Sequence, residues 1–104
     1  MNGKTHWNRK YGEMTETHIC ALHGAPERAR VSTYRYDAGD EVEGTSRPCT
    51  LYLVSGSMEL VSEGDAVQLN KGDVIFFRGG DYVLRISEAI PAVAVWAWEL
   101  ARGM

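Results

Sequence analysis

Few side chains in this sequence could act as nucleophiles, general bases or metal ligands. They include His18, Cys20, His23 and Cys49, and the cysteines lack the paired spacing of a zinc finger. Residues 17–23 are compatible with a short strand, on which His18 and Cys20 share a face while His23 points to the other. Because a transition-metal site needs several donors converging on one point, we expect no metal site from these residues.

Length and composition describe a single acidic domain spanning residues 1–104. Charged residues make up 24% of the chain and the formal net charge is −3, which gives no general attraction to nucleic acid. No apolar run approaches the roughly 20 residues of a membrane span, and the polar start of the chain does not resemble a secretion signal. We therefore expect a cytoplasmic protein with reduced thiols, and a flexible segment at residues 1–14.

Short apolar segments separated by glycine and aspartate turns dominate the chain. They predict strands at 17–23, 29–36, 50–54, 58–61, 66–69, 74–77, 82–86 and 92–100. Such spacing is typical of an antiparallel sandwich or barrel. Only residues 25–30 have weak helical character, which Pro26 limits. In the last strand Trp96 and Trp98 share a side, where we expect them to pack in the core or at a dimer contact.

Two of these turn-and-strand units resemble the motifs of the cupin superfamily. The first runs from Gly39 to Gly56, at the end of LYLVSG, and the second from Gly72, within KGDVIFF, to Gly80. The resemblance covers about residues 31–98 and implies an all-β cupin fold, a double-stranded β-helix or jelly-roll barrel of two antiparallel sheets. It also implies a homodimer, because pairing between chains would cover open sheet edges.

Other residue types occupy the metal-binding positions of these motifs. Counting from the motif glycines places Thr45, Arg47 and Cys49 at the first set of ligand positions. In the second motif Arg78 stands at the proline and Val83 at the histidine. Val83 cannot coordinate a metal, and the fixed positive charge of Arg47 opposes a cation. The resemblance therefore predicts a cupin without the usual metal site and without a cofactor.

For the mouth of the barrel, the resemblance implies a pocket for an acidic ligand. Arg47 and Arg78 stand near the family's ligand positions, and Arg85 shares a strand face with the second-motif histidine position. A guanidinium can bind a carboxylate or phosphate through two hydrogen bonds, and Tyr34 and Tyr36 could add hydroxyl donors and an aromatic wall. The alternative is that these arginines pair with carboxylates on the surface.

Three functions are compatible with these residues. We favour a metal-free small-molecule-binding cupin with an acidic or sugar-like ligand. The second is a cupin enzyme, either metal-dependent through atypical ligands that include Cys49 or a metal-free isomerase or lyase with a histidine base. The third is a protein-interaction module with a filled barrel. For Cys49 itself, we favour a small buried thiol over a reactive thiolate.

Overall fold

Nine strands form two antiparallel sheets within residues 4–24 and 29–99, the part of the chain that the computed structural model describes. In chain order the elements are β1 Lys4–His6, α1 Glu16–His23, β2 Ala29–Tyr36, β3 Glu41–Ser46, β4 Cys49–Ser55, β5 Ser57–Ser62, β6 Asp65–Asn70, β7 Asp73–Phe77, β8 Gly80–Ile86 and β9 Ala92–Glu99. One sheet has the order β1-β7-β4-β9-β2 and the other has the order β3-β8-β5-β6. The all-β jelly-roll prediction is confirmed.

Side chains that alternate along the strands give each sheet an inner face, toward the other sheet, and an outer face. On β4 the inner residues Cys49, Leu51 and Leu53 are at most 2% exposed. They belong to one apolar cluster with Leu60 and Leu84 of the opposite sheet, which are fully buried. Removing these side chains from water on both sheets drives the two layers together.

Helix α1 lies on the outer face of the five-stranded sheet. Thr15 begins the helix, since its Oγ1 accepts a hydrogen bond of 3.2 Å from the backbone N–H of His18, as an N-cap residue does. Ile19 is fully buried in a second apolar cluster that includes Tyr52 and Val95. The helix is therefore held by the packing of one face against the sheet.

The prediction of a strand over residues 17–23 is wrong, because α1 occupies this segment. Ile19 is the buried residue of the helix, so the segment lacks the repeat of apolar residues that would reveal a helix. The signal that the sequence does carry is Thr15 followed by Glu16, a cap and an acidic residue in the first turn, which favour a helix start.

The start of the chain also differs from the flexible segment that we expected at residues 1–14. Lys4–His6 forms β1 along the edge of β7, and Trp7 is only 8% exposed. Asp73 anchors this strand, because its carboxylate lies 3.4 Å from Lys4 Nζ and 3.3 Å from His6 Nδ1. Residues 1–3 lie outside the described part of the chain.

The predicted strands at 29–36 and from residue 50 onward are present, and β3 is an addition. Val42 is the one large apolar residue of β3, so this strand lacks the usual alternating apolar pattern. Residues 25–28 of the weakly helical segment lie outside the described residues, as does residue 100 of the last predicted strand. Residues 29 and 30 begin β2.

Turns gather at the two ends of the sandwich. The turns at 47–48 and 78–79 lie at one end, which we call the arginine end because Arg47 and Arg78 belong to them. These turns touch, since a Cβ on Gly79 would lie 2.9 Å from the Ser46 carbonyl oxygen. Its φ of +98° also favours glycine. The turn at 71–72 lies at the opposite end.

No helix within the described ranges is long and apolar enough to cross a lipid bilayer. The α-helix among them, α1, has eight residues.

Candidate functional site

The inner positions at the arginine end include Gly44, Ser46, Cys49 and Tyr82. Pairing of β3 with β8 sets Gly44 opposite Tyr82, and the Tyr82 ring packs against the inner apolar cluster. Cys49 is 2% exposed within the same cluster. The motif spacing correctly predicts that Cys49 points inward.

Thr45 and Val83 lie on the outer face, although the motif spacing put them at inner ligand positions. Thr45 is exposed, and its hydroxyl donates a hydrogen bond of 2.6 Å to Asp81 on the neighbouring strand. Val83 has the same parity as Asp81, and its neighbours along β8 point inward. Since side chains alternate along a strand, a shift of one residue moves each position to the other face.

The Tyr82 ring lies over Gly44. A Cβ at position 44 would sit 2.5 Å from the Tyr82 hydroxyl oxygen and 2.7 Å from the ring carbon that bears it. A residue with a side chain would therefore displace the ring, and the glycine lets the ring occupy the place where a longer inner side chain would project from β3.

Five aromatic side chains, Tyr82 among them, form a connected group next to these positions. We call them the aromatic cluster, and its members are Tyr34, Tyr36, Tyr82, Trp96 and Trp98. Trp96 stacks on Trp98 with the ring centroids 5.8 Å apart, and its centroid lies 5.3 Å from that of Tyr82. Tyr34 meets Trp96 edge-to-face at 6.3 Å. Pairs at these separations attract one another beyond simple burial.

The aromatic cluster is buried at its centre and accessible at its margin. Trp96 is 3% exposed, whereas Tyr34 is 40% exposed and Trp98 is half-buried. The burial of Trp96 agrees with our expectation for the tryptophans. The partly exposed rings leave aromatic surface that a small molecule can reach from the margin.

Hydrogen bonds hold the polar atoms of Tyr36, Trp96 and Trp98 in the aromatic cluster. Trp96 Nε1 donates to the Tyr36 hydroxyl at 3.1 Å, and Trp98 Nε1 donates to Ser46 Oγ at 2.9 Å. Burial raises the pKa of Tyr36 to about 12. The site therefore offers neutral donors and acceptors at physiological pH.

Cys49 is a protonated thiol in this environment. Burial raises its pKa to about 11, against a partly opposing hydrogen bond from Ser46 Oγ, which lies 3.9 Å from Sγ. A thiolate is the reactive form of cysteine, so this thiol is a poor nucleophile near neutral pH. The structure agrees with the interpretation of Cys49 as a small buried side chain.

The inner positions do not fit a catalytic transition metal. Gly44 has no donor, Ser46 offers a neutral hydroxyl, and burial raises the pKa of both Tyr82 and Cys49, so neither readily supplies an anionic ligand. Throughout residues 4–24 and 29–99, no three histidine, cysteine, aspartate or glutamate side chains are grouped to hold a metal.

His18, Cys20 and His23 cannot add metal ligands to these inner positions. His18, Cys20 and His23 lie on α1, outside the five-stranded sheet, whereas Cys49 points to the inner face. His23 Nε2 is hydrogen-bonded to the Tyr52 hydroxyl at 2.7 Å. Burial lowers the pKa of His23, although Glu99 partly opposes that effect, and the ring ties the end of the helix to the sheet.

Arg85 pairs with carboxylates on the outer face of the four-stranded sheet. Its guanidinium lies 3.3 Å from Glu59 and 3.8 Å from Glu41. These are surface pairs of the kind that we gave as the alternative to a ligand site. Exposed pairs of this kind contribute little to stability.

Arg47 and Arg78 are both exposed at the arginine end. Arg47 also borders a groove of about 410 Å³ on the outer side of the five-stranded sheet, together with Phe76 and Glu99. The structure thus brings the two arginines to the end of the sandwich where Cys49 and Trp98 lie. Thr45, Val83 and Arg85 lie instead on the outer face of the four-stranded sheet.

Several inner residues were not predicted from the sequence. Trp96, Trp98 and Tyr82 were not among the candidate site residues, and neither were Gly44 and Ser46. The spacing of two between the tryptophans was a usable signal, because it places both rings on one face. Their proximity to Tyr34 and Tyr36 depends on the pairing of β2 with β9.

No protein-family model and no curated protein matches the sequence. Solved structures do. The Cupin_2 domain of an XRE family transcriptional regulator from Enterobacter cloacae matches with a TM-score of 0.65 and 18% identity, over 72% of this chain and 84% of that domain. A cupin protein from Bacteroides fragilis matches with a TM-score of 0.63 and 18% identity, over 74% of this chain and 70% of that protein.

A third similar structure is the DMSP lyase DddQ from Ruegeria pomeroyi DSS-3. The TM-score is 0.63 and the identity 18%, over 75% of this chain but only 41% of the lyase. Identities this low establish the fold and leave the activity open. Two antiparallel sheets in this strand order, the motif glycines and these structural neighbours together show that the chain has the fold of the cupin superfamily.

Proposed function

We propose that the protein is a metal-free small-molecule-binding cupin whose ligand is a small ring-shaped organic molecule, such as a sugar. The ligand would stack on the accessible margin of the aromatic cluster, where Tyr34 is exposed. Ser46 and the tyrosine hydroxyls would hydrogen-bond to its polar groups. Arg47 and Arg78 at the rim would hold a carboxylate or phosphate where the ligand carries one.

The observation that carries this proposal is the combination of accessible rings with uncharged polar atoms. Tyr34 is 40% exposed beside the buried Trp96, so a flat ligand has an aromatic surface on which to lie. Small-molecule sites are commonly lined by aromatic side chains with a few placed polar groups. The inner positions provide neutral groups, which suits a ligand whose inserted part is uncharged.

The alternative of a cupin enzyme is supported less well. The raised pKa of Cys49 disfavours a thiolate nucleophile, and the inner donors do not fit a metal. The histidine-and-tyrosine pair of His23 and Tyr52 lies on the outer face, where it also anchors α1. A protein-interaction module predicts instead that no small molecule binds at the aromatic cluster.

The test is a fluorescence titration of the protein with a panel of neutral sugars and their acidic counterparts. Binding should change the emission of Trp96 and Trp98 in a saturable way. The variant Tyr34→Ala should weaken binding about fivefold or more, because loss of a stacking ring removes roughly 1–3 kcal/mol.

The control is Tyr11→Ala, since Tyr11 is 43% exposed and packs on Trp7, remote from the aromatic cluster. It should bind as the unmodified protein does. Arg47→Ala should weaken only the acidic members of the panel. The proposal fails if no member of the panel binds saturably, or if Tyr34→Ala and Tyr11→Ala behave alike.

We also propose that the protein forms a homodimer through a sheet edge. Strand β2 has eight residues and ends the five-stranded sheet, so its outer edge presents a long row of backbone groups that a second copy could pair. Sedimentation equilibrium should give twice the chain mass of 11.6 kDa. Proline in place of Thr33 should shift the protein toward monomer if β2 is the interface, and a monomeric unmodified protein contradicts the proposal.

A further inference from the structure

A second groove lies at the end of the sandwich opposite the arginine end. It has a volume of about 1010 Å³ and is lined by residues of the N-terminal segment 6–15, by Val54 and by the turn at 71–72. Every residue that lines it belongs to the described part of the chain. The groove shares no residue with the aromatic cluster, so a ligand here would be independent of the proposed function.

The lining of this groove is positively charged in an otherwise acidic protein. Arg9 and Lys71 contribute fixed positive charges, and Glu13 is the carboxylate among the lining residues. The formal net charge of the whole chain is −3. A local excess of positive charge on such a molecule attracts small anions to one place.

The two cations are available to a ligand. Arg9 and Lys71 are exposed, and neither side chain has an ion pair within residues 4–24 and 29–99. His6 also lines the groove, and its ring lies against Asp73 at 3.3 Å. An arginine and a lysine that line the same groove can share the charge of one carboxylate or phosphate.

The floor of the groove is apolar. Met14 and Val54 are half-buried members of the outer apolar cluster, and Trp7 belongs to its buried part. The Trp7 ring is held in place because its Nε1 donates a hydrogen bond of 2.9 Å to the carbonyl oxygen of Gly12. A ligand with an apolar body can therefore cover this floor while its anionic group faces the cations.

The walls are joined by backbone hydrogen bonds and close packing. The backbone N–H of Trp7 donates to the Gly72 carbonyl at 2.8 Å, and that of Gly72 donates to the Leu53 carbonyl at 2.9 Å. The His6 ring occupies the space that a Cβ on Gly72 would take. The groove is thus built into the fold, which lowers the entropic cost of binding.

We propose that this groove binds a small organic anion, with a carboxylate or phosphate between Arg9 and Lys71 and an apolar body on Met14, Val54 and Trp7. The contrasting interpretation is that both cations are simply solvated. The two interpretations predict different affinities for an anion that lacks an apolar body. If the groove is the binding site, the apolar body is buried on binding and raises the affinity. If the cations are simply solvated, the apolar body makes no difference.

The experiment is a titration of ¹⁵N-labelled protein with phenyl phosphate, benzoate and inorganic phosphate, followed by backbone amide shifts. Phenyl phosphate or benzoate should produce saturable shifts at Gly12, Lys71 and Gly72. Inorganic phosphate should bind more weakly than phenyl phosphate. Whichever of the two aromatic anions binds more tightly identifies the preferred anionic group.

The double variant Arg9→Ala/Lys71→Ala should lose at least about tenfold in affinity, since two charge-assisted contacts are removed. Arg35→Ala is the matched control, because it removes an exposed arginine from β2 and should leave affinity within about twofold. The proposal is overturned if none of the three anions binds saturably, if the double variant binds as well as the control, or if the shifts centre on Arg47 and Arg78.

Discussion

The side chains at the inner positions decide what chemistry the arginine end can support. Gly44 leaves room for the Tyr82 ring, and Ser46 holds the indole of Trp98. Cys49 completes the set as a thiol whose pKa burial raises to about 11. These residues therefore do not favour metal or thiolate chemistry near physiological pH.

Cys49 should react with iodoacetamide far more slowly than Cys20 in the folded protein. Raising the thiol pKa from 9.0 to about 11 lowers the thiolate fraction near neutral pH by about a hundredfold, and burial limits access as well. Cys20 is only partly buried. Mass spectrometry of digested samples, labelled with and without denaturant, measures the two rates.

Denaturant should abolish the difference between the two cysteines. The variant Cys20→Ser provides the control, because all labelling of the folded protein should then become slow. Rapid labelling of Cys49 in the folded variant would contradict a buried thiol and would favour the enzyme alternative.

At the scale of elements, α1 shows how tertiary packing can decide secondary structure. A helix of eight residues is too short to be stable alone in water. Its stability comes from the Thr15 cap, from Ile19 against the sheet and from the hydrogen bond between His23 and Tyr52. The first of these is visible in the sequence, whereas the other two require the sheet.

Ile19→Ala should destabilise the protein by about 3 kcal/mol, because the truncation leaves a cavity in the outer apolar cluster. Leu22→Ala on the same helix should change the free energy of unfolding by less than about 0.5 kcal/mol, since Leu22 is 45% exposed. Urea denaturation of the three proteins gives both values. Equal losses in the two variants would show that α1 does not pack as described.

For the whole molecule, buried titratable groups make stability depend on pH. Burial lowers the pKa of His23 below 6.5, with Glu99 partly opposing it, so the folded state favours the neutral ring beside Tyr52. Burial also raises the pKa of Cys49 to about 11 and that of Tyr36 to about 12. The shift of His23 affects stability at acidic pH, and the shifts of Cys49 and Tyr36 affect it at alkaline pH.

The free energy of unfolding should fall as the pH drops below 6.5 and continue to fall through the lower folded-state pKa of His23. Below 6.5 the unfolded chain takes up a proton on this residue more readily than the folded protein does. His23→Gln keeps a partner for the Tyr52 hydroxyl and should flatten this dependence. Urea titrations at several pH values measure it, and an unchanged slope in the variant would contradict the role of His23.

Much of the architecture follows from local chemistry that the sequence displays. The strand over 29–36 and those from residue 50 onward are marked by apolar segments between glycine turns, and these turns require conformations that glycine adopts most easily. The two motif units were sufficient to predict the cupin fold. The first motif also predicted that Cys49 points inward, because Cys49 stands at one of its ligand positions, and Cys49 lies in the inner apolar cluster.

What only the tertiary structure decided is the facing of the motif positions and the groups that meet there. Tyr82 rather than Val83 points inward because the pairing of β3 with β8 sets the parity of both strands, and a one-residue shift exchanges the two faces. Tyr34 reaches Trp96 only through the pairing of β2 with β9, across more than 60 residues of chain. Contacts between residues so distant in sequence depend on strand register, which no local pattern specifies.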